Sequence, residues 1–481
     1  MDGAHLKMPP ITAKIRWFYG FGSAAYGVKD NGFSFFLMIF YNQVLGLPGT
    51  LAGLAIMIAL VFDAVSDPLV GYWSDNTHSR LGRRHPFMYA SALPVAISYF
   101  FLWNPPLEHL SEFGLFMYLT AGAILVRFFI TLYEIPSTGI VAELTEDYDE
   151  RTKLLSYRYM FGWYGGLSMA LLAWGLFMAD TADYPNGVLN PDAYFGYSLT
   201  GSIVIFISIV GSSIALHKYI PYLPKAAVRK SFTLRQMPGE LKVTLSNRNF
   251  LALFMAGLFA AVGAGVATNF DAYITNFFWE LNSSNIFWIN VSLFLAASMA
   301  AVLSPIVTRK FDKKASCMGI YLISIFFSAS LIILRLLGWF PDNDWPWLLH
   351  VLIAHAAVNV TLIVMFGIVQ SSMLADIVED SQMRTGRREE GLFFAARTFA
   401  AKATSGLGTF FAGIALDIID FPRGAQPGDV PADIIFDLGL VAGPGLMIFY
   451  LLALGSISFY QITRTGHNDR IVSLDEAATG S

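Results

Sequence analysis

The chain has 481 residues, of which 55% are hydrophobic and 14% charged, with a formal net charge of −4. Soluble domains carry about 25% charged residues, so this composition excludes an ordinary water-soluble fold and points to a chain that buries its apolar surface in a bilayer. The small net charge argues against a nucleic-acid partner, and a single cysteine, Cys317, excludes an intrachain disulfide or a cysteine-based metal site.

The first 15 residues are polar and lack a small-residue cleavage site after an apolar core, so no removable signal peptide is expected. A membrane-spanning helix needs roughly 20 mostly apolar residues. Runs of that kind fall at 17–45, 51–73, 86–103, 113–141, 156–179 and 195–217. After a polar gap they resume at 249–279, 286–307, 316–340, 345–373, 392–420 and 437–462. The expected fold is therefore all-α, with 12 transmembrane helices in two six-helix bundles. Residues 1–217 form the first bundle, 218–248 a basic linker, and 249–481 the second bundle with a short tail. If both termini share one side with the even-to-odd loops, that side carries 24 of the 31 Lys and Arg, and the opposite loops carry only Arg423. The positive-inside rule then puts both termini and the linker in the cytoplasm, with the bilayer as a partner and a bacterial inner (plasma) membrane as the location. A monomer is expected.

The two halves repeat one another. Segment 142–152 reads AELTEDYDERT and segment 375–385 reads ADIVEDSQMRT. Asp147 matches Asp380, Arg151 matches Arg384, and the flanking Ala, Glu and Thr positions match without gaps. One segment is expected to follow the fourth span and the other the tenth. Parallel six-plus-six repeats are the build of the major facilitator superfamily. The loop after the second span, Gly71-Tyr-Trp-Ser-Asp75 to Arg80-Leu-Gly-Arg83-Arg84, resembles that superfamily's Gly-x-x-x-Asp…Arg loop. Asp75, Arg80 and Arg84, with Asp147, Arg151, Asp380 and Arg384, are the candidates for charge networks that gate one face.

Ionisable residues inside spans cost roughly 2.5–3.5 kcal/mol each on insertion scales and mark function. In the second span, Asp63 and Asp67 stand i and i+4 on one helical face. Two carboxylates so close cannot both stay charged unaided. Either one binds a proton or a cation sits between them. Ser66 offers another oxygen, and Pro68 leaves the Ala64 carbonyl without its helical donor. Oxygen ligands of this kind suit a hard monovalent cation. The fourth span carries Arg127, Thr131 and Glu134, with Arg127 two turns from Glu134 as a possible internal pair. Lys402, near the middle of the eleventh span, needs an acidic or anionic partner, for which Asp63, Asp67 and a substrate are the candidates. Lys29 and Asp30 in the first span point to different faces, one of them into a cavity. Asp271 in the seventh span lies either in a cavity or at an outer helix end. The enzyme motifs His-Glu-x-x-His and Gly-x-Ser-x-Gly are missing, and no enzyme activity is expected.

Asp63-Ala-Val-Ser-Asp67-Pro with Arg80-Leu-Gly-Arg-Arg-His-Pro, Glu134-Ile-Pro, Tyr157-Arg158 and Gln370-Ser-Ser-Met-Leu-Ala-Asp376 together resemble the glycoside–pentoside–hexuronide:cation symporter family. The resemblance covers nearly the whole chain. It implies alternating-access symport with sodium (or H+ or Li+) as the coupling ion and no other cofactor. It also implies that Asp63, Ser66, Asp67 and Thr131 bind the cation. Glu134, Arg158 and Lys402, with Asp30 and Arg127 beside them, would then bind a small-molecule or lipid substrate. This chain departs from the pattern at Leu60, where the family has an arginine, at Thr138, where its sugar permeases have a tryptophan, and at Gly27, where they have an aspartate. The cation half of the site is kept and the sugar half is kept in part. The expectation is therefore a cation-coupled carrier of a lysophospholipid or similar amphiphile, with a sugar, glycoside or glucuronide as the alternative and a non-transporting membrane sensor or enzyme as a remote one.

Overall fold

The computed structural model describes residues 8–145, 147–182, 184–223, 248–311, 313–385 and 390–460, with some helical positions, mostly in 371–399, described by their backbone alone. Among these residues the chain is all helix and turn. In the first half, helices α1 (Ala13–Phe21) and α2 (Ala24–Asn31) run on through π turns at Gly32–Phe36 and Phe40–Val44. They are followed by α3 (Gly49–Asn76), α4 (His85–Leu102), α5 (Glu112–Gly139), α6 (Tyr148–Leu172) and α7 (Ala193–His217). The second half holds α8 (Arg248–Tyr273), α9 (Ser283–Lys310), α10 (Lys313–Leu336), α11 (Leu348–Thr385), α12 (Glu390–Ile418), α13 (Ala432–Leu440) and α14 (Leu446–Ser458). Each apolar run of the sequence is helical. Eight helices among the described residues are long and apolar enough by themselves to cross a membrane. Residues 224–247 of the linker and the C-terminal tail from 461 lie outside the described residues.

Local chemistry sets the helix starts. Ser111 and Asn282 cap α5 and α9 by accepting from the backbone N–H of Gly114 (3.1 Å) and Asn285 (2.9 Å). The α3 helix has no such cap, because Pro48 precedes it. Two boundaries differ from the sequence expectation. The α11 helix continues to Thr385, so the 375–385 motif is helical rather than a loop after the span. The α6 helix begins at Tyr148, eight residues before the expected span. Hydropathy marks where a helix leaves the bilayer, whereas the helix ends only where its backbone hydrogen bonds do.

Glycines bring helices to backbone contact within each half. A Cβ on Gly27 of α2 would collide with the Gly162 carbonyl of α6 and lie 2.8 Å from the Gly166 nitrogen. In the second half Gly408 of α12 meets Gly265 of α8 in the same way, at 2.9 Å. Between the halves, α3 lies along α12, where a Cβ on Gly49 would come within 2.7 Å of the Gly413 carbonyl oxygen.

The face opposite the chain ends is sealed by bonds between the halves. The Asp417 carboxylate, in the last turn of α12, accepts from the backbone N–H of Gly49 (3.0 Å) and Thr50 (2.7 Å), which open α3. Asp180, just after the helical run of α6, accepts from Ser283 N–H (3.1 Å), which opens α9. The two contacts are related by the repeat: each half caps a helix of the other. Between them, the Tyr273 hydroxyl donates to Asn42 (2.6 Å) and the Asn186 amide donates to Asn276 (2.6 Å), all buried.

Candidate functional site

Four charged side chains and one hydroxyl meet between α3, α5 and α12. Asp63 and Asp67 share a face of α3, and Thr131 on α5 bridges them, its Oγ1 lying 3.0 Å from an oxygen of each. Arg127, one turn earlier on α5, donates to Asp63 Oδ2 at 3.2 Å and lies over the Phe33 ring. Lys402 reaches across from the second half, with Nζ 3.1 Å from Asp63 Oδ2 and 2.5 Å from Asp67 Oδ2. The formal charges of the four residues sum to zero. Asp63 and Arg127 are almost fully buried, while Asp67 and Lys402 retain side-chain exposures of 19% and 26%.

This geometry places the cation candidates Asp63, Asp67 and Thr131 together. Ser66 is buried beside them, but its hydroxyl bonds to the Asp63 carbonyl of its own helix, at 3.1 Å. The Arg127–Glu134 pairing open to the sequence is not formed, since Arg127 turns to Asp63 and Glu134 faces Arg158. The Arg158 guanidinium lies 2.5 Å from Glu134 and 2.9 Å from Thr138, and also bonds Ser137. Tyr19 lies 3.4 Å from it and donates to the Ser137 carbonyl. Glu134, Arg158 and Thr138 thus form a second polar group, with Glu134 Oε2 unpartnered among the described residues. Lys29 and Asp30, expected on different faces, meet at 3.4 Å because the lysine folds back over the Tyr26 ring. Lys29 is 1% exposed and the Asp30 carboxylate is open.

Of the gating candidates, Asp75 and Arg84 pair at 3.0 Å. Glu143 completes that group by accepting from Arg83 (2.6 Å) and Arg84 (2.5 Å). Glu143 was legible only as a repeat position, not as the centre of the network. Arg80 is exposed and forms no such pair among the described residues. Asp147 caps the start of α6 through Glu150 N–H (3.0 Å), and Arg151 donates to the Thr145 carbonyl (2.8 Å). The side chains of Asp380 and Arg384 lie outside the described residues.

The second half holds a cavity of about 580 Å³ between α8, α10, α11 and the α13–α14 run, with mostly apolar walls. Carrying the ungapped register of the 142/375 motif back along α5 and α11 sets Val360, Val364 and Gly367 where the first half has Arg127, Thr131 and Glu134. The second half thus carries no charge at these positions, and of the three only Gly367 lines the cavity. Asp271, undecided from sequence, lines this cavity.

A family model described as "MFS/sugar transport protein" matches residues 18–464. The "Uncharacterized symporter sll1374" of Synechocystis sp. is 26% identical, over 95% of each chain. The "Putative glycoside/cation symporter YagG" of Escherichia coli is 24% identical over 95% of this chain and 93% of its own. The "Sphingosine-1-phosphate transporter MFSD2B" of Mus musculus is also 24% identical, over 80% of this chain and 76% of its own. Among solved structures, a point mutant of the nucleoside transporter NupG superposes with a TM-score of 0.62 at 14% identity, covering 93% of this chain and 99% of that one. That likeness speaks for the fold alone.

Proposed function

The chain belongs to the MFS/sugar transport family, in its glycoside–pentoside–hexuronide:cation symporter branch, and is a membrane-embedded cation-coupled transporter rather than an enzyme; from that premise we propose that it couples the uptake of an amphiphile to sodium. Both termini then face the cytoplasm, and the sealed face is the outer one. The observation that carries the coupling is the position of Lys402 Nζ between the two aspartates. A monovalent cation would compete for the same four oxygens. The cluster is neutral with the ammonium in place, so an added cation makes it +1, and the least costly relief is for Lys402 to leave. The freed ammonium then offers a positive charge to an anionic headgroup. Cation and substrate thus favour one state of the protein, which is what coupling requires. Arg127 stays on Asp63 and Thr131 holds the carboxylates in register.

The amphiphile is favoured by the apolar cavity of the second half, which lies within the usual 300–1,000 Å³ of ligand pockets, and by the likeness to a sphingosine-1-phosphate transporter. A glycoside or glucuronide is the second reading, favoured by Glu134 Oε2, a buried acceptor with no hydrogen-bond partner among the described residues that a sugar hydroxyl would satisfy. Uptake into reconstituted vesicles of lysophosphatidylcholine and of a methyl glycoside, each with and without an inward sodium gradient, separates the readings. Sodium-dependent uptake of the lipid alone is expected. Uptake of the glycoside alone would reverse the substrate assignment, and Asp63→Ala with unchanged uptake would remove the coupling mechanism.

A further inference from the structure

The charge balance of the cation site turns on Arg127. Two other ion pairs flank the site, Lys29 with Asp30 and Arg158 with Glu134, and each is neutral in itself. The α3 helix carries no basic residue, and Leu60, one turn before Asp63, packs against Gly406 of α12. Among the described residues Arg127 is thus the one cation that pairs with Asp63 from within the first half. A guanidinium keeps its charge in proteins, so this charge remains while others come and go. With Arg127 present, one further cation neutralises the two carboxylates, and a second leaves an excess positive charge in a buried site. Without it, sodium and the Lys402 ammonium together would balance Asp63 and Asp67. The aspartates alone would therefore admit both cations, and Arg127 makes them rivals.

Asp63 by itself holds the guanidinium loosely. Arg127 Nη1 donates to Asp63 Oδ2 at 3.2 Å, and Arg127 Nε is buried with no hydrogen-bond partner among the described residues. The Phe33 ring, 5% exposed, supplies a second hold, with its centroid 4.9 Å from Arg127 Cζ. Ring faces attract a guanidinium, most strongly when water is excluded. Lys29 also lies over this ring, at 5.9 Å, and is paired with Asp30. Phe33 belongs to the π turn Gly32–Phe36, a departure from α-helical register of the kind that gathers at functional sites.

We propose that Arg127 is the charge that makes sodium and the Lys402 ammonium mutually exclusive at Asp63 and Asp67, and that Phe33 is the positioning residue that keeps it on Asp63. The inference rests on the reading of Lys402 as sodium's competitor and deepens it: coupling is enforced by a charge that does not itself move.

The test is sodium titration of the purified full chain by calorimetry, reading how far Lys402→Gln tightens sodium in each of four backgrounds. In the native background the tightening is about tenfold or more. In Arg127→Gln it should fall below about threefold, because sodium enters there without expelling the ammonium. Arg127→Lys, which keeps the charge, should retain the native ratio. Phe33→Leu, which leaves every charge in place, should give a ratio between the native one and that of Arg127→Gln. Phe33→Leu also carries the test should Arg127→Gln fail to fold. A merely structural role would weaken sodium equally with and without Lys402 and leave the ratio unmoved. Equal tightening in native and Arg127→Gln protein would overturn the proposal, as would a native ratio in Phe33→Leu where Arg127→Gln does not fold. A native ratio in Phe33→Leu beside a collapsed one in Arg127→Gln would overturn the positioning role of Phe33. No tightening by Lys402→Gln in the native background would instead overturn the reading of Lys402 on which the inference rests.

Discussion

Replacing Lys402 by glutamine should tighten sodium binding while abolishing coupled uptake. The ammonium stands 3.1 and 2.5 Å from the two carboxylates, and its removal changes the local formal charge from zero to −1. At an effective dielectric of about 20, a unit charge 3 Å from a carboxylate is worth roughly 5 kcal/mol. Sodium must forgo part of that energy in native protein, because it displaces an ammonium already in place. Arg127 still neutralises Asp63, and Thr131 still bridges, so the oxygens of the site survive the change. If Lys402 recovers all but a third to a half of the lost interaction by turning to water, the net relief is about 1.5–3 kcal/mol, a 10- to 150-fold tightening. Sodium titration of purified native and Lys402→Gln protein by calorimetry reads the affinity, and gradient-driven uptake in vesicles reads the coupling. Unchanged or weaker sodium binding in the variant would show that Lys402 builds the cation site rather than competing for it.

Asp417→Asn should weaken the sealed face. It removes the negative charge from the N-terminus of α3 and leaves at most one of two accepted N–H bonds, a loss of about 1–2 kcal/mol. Paired spin labels on the two halves should show the population open on that face rising by roughly 5- to 30-fold, and an unchanged distance distribution would count against the capping role. Gly27→Ala drives a Cβ into the backbone of α6, which cannot yield as a side chain would, at a cost of about 1–3 kcal/mol. Gly257→Ala, with open space around it, is the control. The first should lower the unfolding midpoint and the second should not.

The sequence reveals a residue's cost more readily than its partner. Asp63, Asp67, Arg127 and Lys402 stand out because charge in a span is expensive, and the i, i+4 relation of the aspartates follows from helix geometry alone. That Arg127 serves Asp63 rather than Glu134 depends on how α3 and α5 cross, which periodicity along one helix does not record. Ser66 illustrates the same limit: its position on α3 was legible, but not that its hydroxyl would turn back to the helix backbone. Glu143 stands in the repeat only as an acidic position opposite Asp376, and its role emerges only when the α3–α4 loop folds against it. The apolar cavity was legible in principle. Aligning the fourth and tenth spans shows Glu134 opposite Gly367, but an empty space announces itself in sequence only as a small residue.

The crossed caps of Asp417 and Asp180 have a consequence for how this protein can vary. Each is a contract between a side chain on one half and main-chain N–H groups on the other. Any residue but proline supplies an N–H, so positions 50 and 283 can change without weakening the seal. The donors of negative charge have no such freedom, and position 49 has little because the Gly413 carbonyl leaves no space for a Cβ. Substitutions should therefore accumulate on the receiving side of each latch and not on the giving side, and because the two latches are swapped between the repeats, neither half can drift without the other registering it.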